Sequence, residues 1–134
     1  MKSQIILCSG GARSGKSEFA ERLALATEGR KVYVATGQAF DDEMVDRIKK
    51  HQERRGNIWT NFEIPLYLAE EWQHISSVAD VILIDCLTMF TTNHMMAHGS
   101  IQGQQDANRL EDTVLSELEA LLNLIKVSDD KIVI

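Results

Sequence analysis

The sequence has no positive charge to spare for a polyanion. Its 14 lysines and arginines face 20 aspartates and glutamates, a formal net charge of −6 over 134 residues. A nucleic-acid backbone demands a basic footprint, so nucleic acid is not expected as a partner. No apolar run approaches the roughly 18 residues of a membrane helix, and the N-terminus lacks a basic stretch followed by an apolar segment and a small-residue cleavage site. The chain is therefore expected neither to span a membrane nor to be exported. Only two cysteines occur, Cys8 and Cys86, with no CxxC spacing. That points to a reduced, cytoplasmic setting in which both are small apolar fillers. Repeats, low-complexity tracts and linkers are absent as well. One domain over residues 1–134 is expected, and its 44% hydrophobic and 25% charged content is ordinary for a globular chain.

What is present is organised around Gly10-Gly11-Ala12-Arg13-Ser14-Gly15-Lys16-Ser17, a phosphate-binding loop of the form GxxxxGK[ST]. Ile5, Ile6 and Leu7 before it read as a short buried strand, and residues 16–27 after it as a helix carrying Phe19, Ala20, Leu23, Ala24 and Ala26 at helical spacing. In such a loop glycines let the backbone approach an anion, successive N–H groups and the helix N-terminus surround the β-phosphate, and Lys16 reaches the β/γ oxygens. Ser17 is then placed to ligate Mg²⁺ through its hydroxyl. Nucleotide binding is the expectation.

Further along, residues 31–35 read as a strand leading to Thr36-Gly37-Gln38 at the sheet edge where ligands collect in parallel α/β proteins. Asp41 or Asp42 caps a helix running to about Arg55, residues 57–63 are extended or irregular, and Pro65 precedes a helix over 66–75. Residues 81–84 form a buried strand ending in Asp85, followed by a helix over 87–98 and a loop over 99–105. The clearest amphipathic helix covers 106–127, with Leu110, Val114, Leu118, Leu121, Leu122 and Ile125 as its apolar stripe. Lys131-Ile132-Val133-Ile134 reads as a fourth strand, beside which an exposed apolar edge is expected. Strands alternating with helices predict an α/β fold with a mainly parallel sheet and helices on both faces.

Other positions carry chemistry of their own. Asp85 at a strand tip suits a magnesium-side carboxylate, although it can equally cap the helix that follows. Arg47, His51 and Arg54 or Arg55 share one face of their helix, a phosphate-binding arrangement around a nucleophilic imidazole or simply a solvated basic face. Glu63 can accept two N–H donors from a guanine edge and Trp59 can stack on a base; both equally suit ordinary packing. His94 and His98, four apart, lack an evident third metal ligand, and His74 has no evident partner.

With these residues in hand, the sequence resembles the bifunctional adenosylcobinamide kinase / adenosylcobinamide-phosphate guanylyltransferase family of cobalamin biosynthesis. The likeness lies in the phosphate loop; in Tyr33-Val34-Ala35-Thr36; in Asp41-Asp42-Glu43-Met44 with Arg47-Ile48 and His51, continuing to Arg55, Trp59, Glu63 and Pro65; and in Asp85-Cys86-Leu87-Thr88 with Asn93. It implies a P-loop NTPase-like (RecA-like) fold, His51 as the residue that takes up GMP, and a nucleotide site. Beside the phosphate loop that site takes in Ala35, Thr36, Gly37, Gln52, Glu53, Arg54, Arg55, Glu63 and Asp85, with Mg²⁺ held directly or through water by Ser17 and Asp85. GTP and ATP are the implied nucleotides, adenosylcobinamide the acceptor and a homotrimer the assembly.

Gly56, Asn61 and Met89-Phe90 depart from the family pattern, changes expected to bear on base fit. The family continues past the fourth strand, so relative to it the domain reads as truncated at the C-terminus. Two other classes stay open from the residues: a different small-molecule P-loop kinase, and a nucleotide-binding module or inactive remnant.

Overall fold

The computed structural model describes residues 1–38 and 42–134. Asp41, one of the two expected helix caps, lies outside the described residues. In chain order the elements are β1 (Gln4–Ile5), α1 (Lys16–Ala26), β2 (Lys31–Ala35), α2 (Asp42–Arg55), a 3₁₀ turn (Gly56–Ile58), β3 (Trp59–Glu63), α3 (Leu68–Ser77), β4 (Val81–Asp85), α4 (Leu87–His98), α5 (Gly103–Val127) and β5 (Ile132–Val133). The five strands form one parallel sheet in the order β1-β5-β4-β2-β3. The α/β fold with a parallel sheet is thus the one expected.

Alternation along the central strands sorts the core onto two faces. Val32, Val34, Ile82 and Val133 point to one face, where α3, α4 and α5 cover them with Leu68, Trp72, Ile75, Phe90, Leu121 and Ile125. Tyr33, Val81, Leu83 and Ile134 point to the other, where Ala20 and Ala24 of α1 and Trp59 pack. Burial on both faces explains why β2 and β4 are nearly continuous apolar runs.

Several expectations are corrected. Of the extended and irregular alternatives for 57–63, residues 59–63 take the extended one as a strand; β3 pairs with β2 alone, so Thr60 and Asn61 stay exposed and break the apolar pattern. Ile5 and Leu7 are 52% and 75% exposed, because β1 is the edge of the sheet and pairs only with β5. For the same reason the last strand is not the open edge: β5 lies between β1 and β4. Phe19 and Ala26 lie on the solvent side of α1, and Leu122 is partly exposed on the wall of a groove. Phe90, one of the departures expected to bear on base fit, is wholly buried in the core. Helix α5 starts at Gly103 rather than Asp106. The Asp106 carboxylate reaches back to accept the Gln102 N–H at 2.8 Å and meets His98 Nε2 at 2.8 Å, satisfying the helix start from inside. Those hydrogen bonds, the Gln102 N–H first, hold its carboxyl below the usual range.

Two networks set the ends of the sheet. At the N-terminal end, Asp80 accepts the Arg30 N–H at 2.8 Å and its guanidinium at 3.1 Å on each oxygen. Gly29 passes so close, at φ +125°, that a Cβ there would lie 2.7 Å from that of Asp80. At the C-terminal end, the buried Thr36 hydroxyl donates to the Cys86 carbonyl at 2.6 Å and accepts its N–H at 2.8 Å. The amide of Asn93, from α4, donates to the carbonyls of Thr36 at 2.6 Å and Pro65 at 3.0 Å. One side chain thus ties the chain beyond β2 to the chain beyond β3.

Two outcomes follow. Arg30 hydrogen bonds, from side chain and then backbone, depress the Asp80 carboxyl from 3.8 to about 2. A depressed carboxyl stabilises the fold above its unfolded value and loses that contribution as pH falls through the folded one. Asp80→Asn should therefore be less stable than the parent at pH 7, and urea midpoints of the two should converge as pH falls from 3.8 toward 2. Asn93→Ala leaves two carbonyls without their donor, and should lower stability by about 1–3 kcal/mol. Hydrogen exchange should then quicken around residues 36 and 64; unchanged exchange there would show that Asn93 does not tie these segments.

Candidate functional site

Strand β1 delivers the chain into the glycine-rich loop, and the loop turns it into α1. Gly15 adopts φ +84°, a left-handed conformation that admits glycine without strain, and α1 begins at the next residue. No side chain caps α1, so its first N–H groups are open to an anion. A Cβ on Gly10 would lie 2.5 Å from Ser14 Oγ, so a side chain there would have to displace that hydroxyl. The loop is closed by Ser14 N–H donating to Gly11 O at 3.3 Å, and Lys16 Nζ lies folded on the same carbonyl at 3.2 Å. Ala12, Arg13 and Ser14 are exposed around this turn, with Arg13 at φ +58°.

Facing the loop is a groove of about 490 Å³. Gly10, Lys16 and Ser17 line one side of it; Asp85, Cys86, Leu87 and Thr88 line another. The parallel register explains how a residue so distant in sequence arrives there: Ala35 sits opposite both Asp85 and Glu63, so three strand ends finish level. Asp85 does not cap α4. That position belongs to Cys86, whose sulfur accepts the Met89 N–H at 3.5 Å.

Asp85 instead accepts a hydrogen bond from the Tyr33 hydroxyl. Burial, and then the neighbouring Asp85 charge, push the phenol up, so Tyr33 stays protonated and donates. The Tyr33 ring meets the Trp59 edge at 5.7 Å and lies 3.6 Å beneath the Arg55 guanidinium. Trp59 is therefore buried in packing. Arg55 also donates twice to Asn61 Oδ1, at 3.1 and 3.0 Å, so the last residue of α2 is fixed against β2 and β3.

The rest of α2 is exposed or half-buried. His51, Glu53 and Arg54 are exposed, and Gln52 donates to Glu63 Oε1 at 3.4 Å. Arg47 pairs with Glu43 at 3.3 Å. Glu63 also borders a second cavity of about 400 Å³ with Phe62, Pro65, Tyr67 and His74. Ala35 and Gly37 flank Thr36 at the sheet edge, but the Thr36 hydroxyl is turned inward onto Cys86, which leaves only its surroundings for a ligand. His94 and His98 are separated, one against Phe90 and the Leu66 carbonyl, the other on Asp106. His74 packs edge-on against Phe62. Among the described residues no group of three or more His, Cys, Asp or Glu side chains gathers around a common point, and no helix is long and apolar enough to cross a membrane.

Tyr33 and Asn93 are the residues whose roles local reading missed. The one available signal for Tyr33 is a polar-tipped ring in an otherwise apolar strand interior.

Comparison with known proteins agrees with the geometry. The family described as cobinamide kinase / cobinamide phosphate guanyltransferase matches residues 6–134. The chain is 40% identical over 119 residues to the bifunctional adenosylcobalamin biosynthesis protein CobP of Pseudomonas aeruginosa, covering 89% of this chain and 62% of that protein. It is 31% and 33% identical to the proteins named CobU of Escherichia coli and Salmonella typhimurium, covering 97% of this chain and 72% of each of them. With the phosphate loop and Asp85 facing one groove and the match running from residue 6 to residue 134, the chain belongs to the cobinamide kinase / cobinamide phosphate guanyltransferase family.

Proposed function

We propose that this chain performs two transfers at one phosphate loop. In the first, the hydroxyl oxygen of adenosylcobinamide attacks the γ-phosphorus of ATP or GTP. A new P–O bond forms, the bridge to the β-phosphate breaks, the nucleoside diphosphate leaves and the hydroxyl proton is lost. In the second, a His51 ring nitrogen attacks the α-phosphorus of GTP, forming a P–N bond and releasing pyrophosphate. An oxygen of adenosylcobinamide phosphate then attacks the same phosphorus, the P–N bond breaks, and a diphosphate bridge joins guanosine to the corrinoid. The observation that carries this reading is the groove that Lys16, Ser17 and Asp85 share beside an uncapped helix N-terminus.

Beside that groove, Gly10, Gly11, Ala12, Arg13, Ser14 and Gly15 offer backbone N–H groups to the phosphates; the Ser14 N–H and Lys16 both leave the Gly11 carbonyl, and Lys16 then binds β/γ oxygens. Ser17 and Asp85 present hard oxygen donors, a set suited to Mg²⁺, and are the residues that would hold it or its water. When bound, the ion offsets charge on the phosphates. His51, flanked by Gln52, Glu53 and Arg54 on exposed α2, acts as the guanylyl carrier, and Glu63 accepts N–H donors from the guanine edge. The family likeness supports these assignments and is the sole support for a homotrimer. A cytoplasmic setting fits nucleotide substrates and two free cysteines.

Lys16→Ala should abolish both activities, losing about 2.7–4 kcal/mol of transition-state stabilisation or ~10²–10³ in rate. Wild-type turnover would exclude the loop as the site. His51→Ala should lose guanylyl transfer to adenosylcobinamide phosphate while phosphorylation of adenosylcobinamide survives, read by separating the two corrinoid products. Loss of both in a folded His51→Ala protein would contradict a carrier role confined to the second reaction.

A further inference from the structure

Tyr33 stands apart from the residues assigned so far. It belongs to β2, it is 8% exposed, and its hydroxyl crosses to the adjacent strand to donate to Asp85 Oδ2. Its ring cannot swing away readily. The Trp59 edge meets it at 5.7 Å and an interplanar angle of 86°, and the Arg55 guanidinium covers it at 3.6 Å. Arg55 is in turn held by two hydrogen bonds to Asn61. A hydroxyl with this little freedom fixes the carboxylate that it touches, and a hydrogen bond to an ionised acceptor is among the stronger ones available. Packing that locks a supporting residue is what lets a polar group keep its geometry without reorganising when a ligand arrives.

We propose that Tyr33 is a positioning residue for the nucleotide site. Its hydroxyl engages one oxygen of Asp85 and so presents the other toward the phosphate-loop groove, where Mg²⁺ or a water on it is taken up with the nucleotide. The proposal rests on the reading of Asp85 as the magnesium-side carboxylate. It assigns Tyr33 no contact with substrate. Removing the hydroxyl frees the Asp85 side chain to sample other rotamers, and the ordering cost then falls on metal uptake.

The test uses the full chain and a fluorescent GTP analogue, with binding measured as a function of Mg²⁺ and again in excess EDTA. Tyr33→Phe keeps the ring, the Trp59 contact and the Arg55 stack while deleting only the hydroxyl. The Mg²⁺ concentration for half-maximal enhancement of binding should rise about five- to tenfold, the worth of one such hydrogen bond. Affinity in EDTA should stay as in the parent. Asp85→Asn, measured alongside, separates the levels of the claim. If Asp85→Asn shifts the Mg²⁺ dependence and Tyr33→Phe does not, the positioning role is overturned while the Asp85 reading stands. If neither shifts it, the Asp85 reading falls and the proposal with it. If Tyr33→Phe weakens binding equally with and without Mg²⁺, the hydroxyl serves the fold alone, and that too overturns the proposal.

Discussion

The parallel register of β2 with both its neighbours is the constraint on which the site depends. Because Ala35 lies opposite Asp85 on one side and Glu63 on the other, the two carboxylates finish at the same height, two strand spacings or about 10 Å apart. A slip of one residue in either pairing would send one of them to the opposite face. The register is locked beyond the strands as well. Thr36 exchanges two hydrogen bonds with the Cys86 backbone, and Asn93 spans the carbonyls of Thr36 and Pro65. These polar groups lie in or beside the core, where an unpaired partner is costly, so the loops that leave the sheet have little choice of path.

That rigid edge is paired with a helix of opposite character. α1 is anchored through Ala20 and Ala24 and offers its open N-terminus to the groove, whereas α2 buries none of its residues. Near its C-terminal end α2 is tied to the sheet by polar contacts: Gln52 on Glu63, and Arg55 on Asn61 and the Tyr33 ring. The proposed phosphate site thus rests on a buried frame, and the proposed guanylyl carrier rests on an exposed helix. The proposed carrier, which would meet first a nucleotide and then a bulky corrinoid phosphate, is better served by an exposed helix than by a buried strand.

Much of this was legible in the sequence, and the failures have physical reasons. The phosphate loop is contiguous, so its residues declare themselves by spacing alone. β2 and β4 are buried on both faces and read as unbroken apolar runs ending at Thr36 and Asp85. β3 was obscured because only Trp59 and Phe62 turn inward, and β1 was misjudged because an apolar triplet does not reveal its place in the strand order. The start of α5 was hidden in a stretch of glycine and glutamine, since the Asp106 back-bond is a side-chain event. Tyr33 and Asn93 act on partners 52 and 57 positions away, and no local pattern encodes such pairings. Family likeness pointed to the segments that hold them without saying what either side chain touches.

If one phosphate loop presents GTP to a carrier histidine on α2, the protein's own covalent state will record it. Protein incubated with GTP labelled at the α-phosphate and Mg²⁺, with no corrinoid present, is digested and mapped by mass spectrometry. A single GMP is expected on the peptide containing His51, labile to acid and stable to alkali as a phosphorus–nitrogen bond requires. A label on any other residue, or nucleotide bound with no covalent label at all, would contradict it.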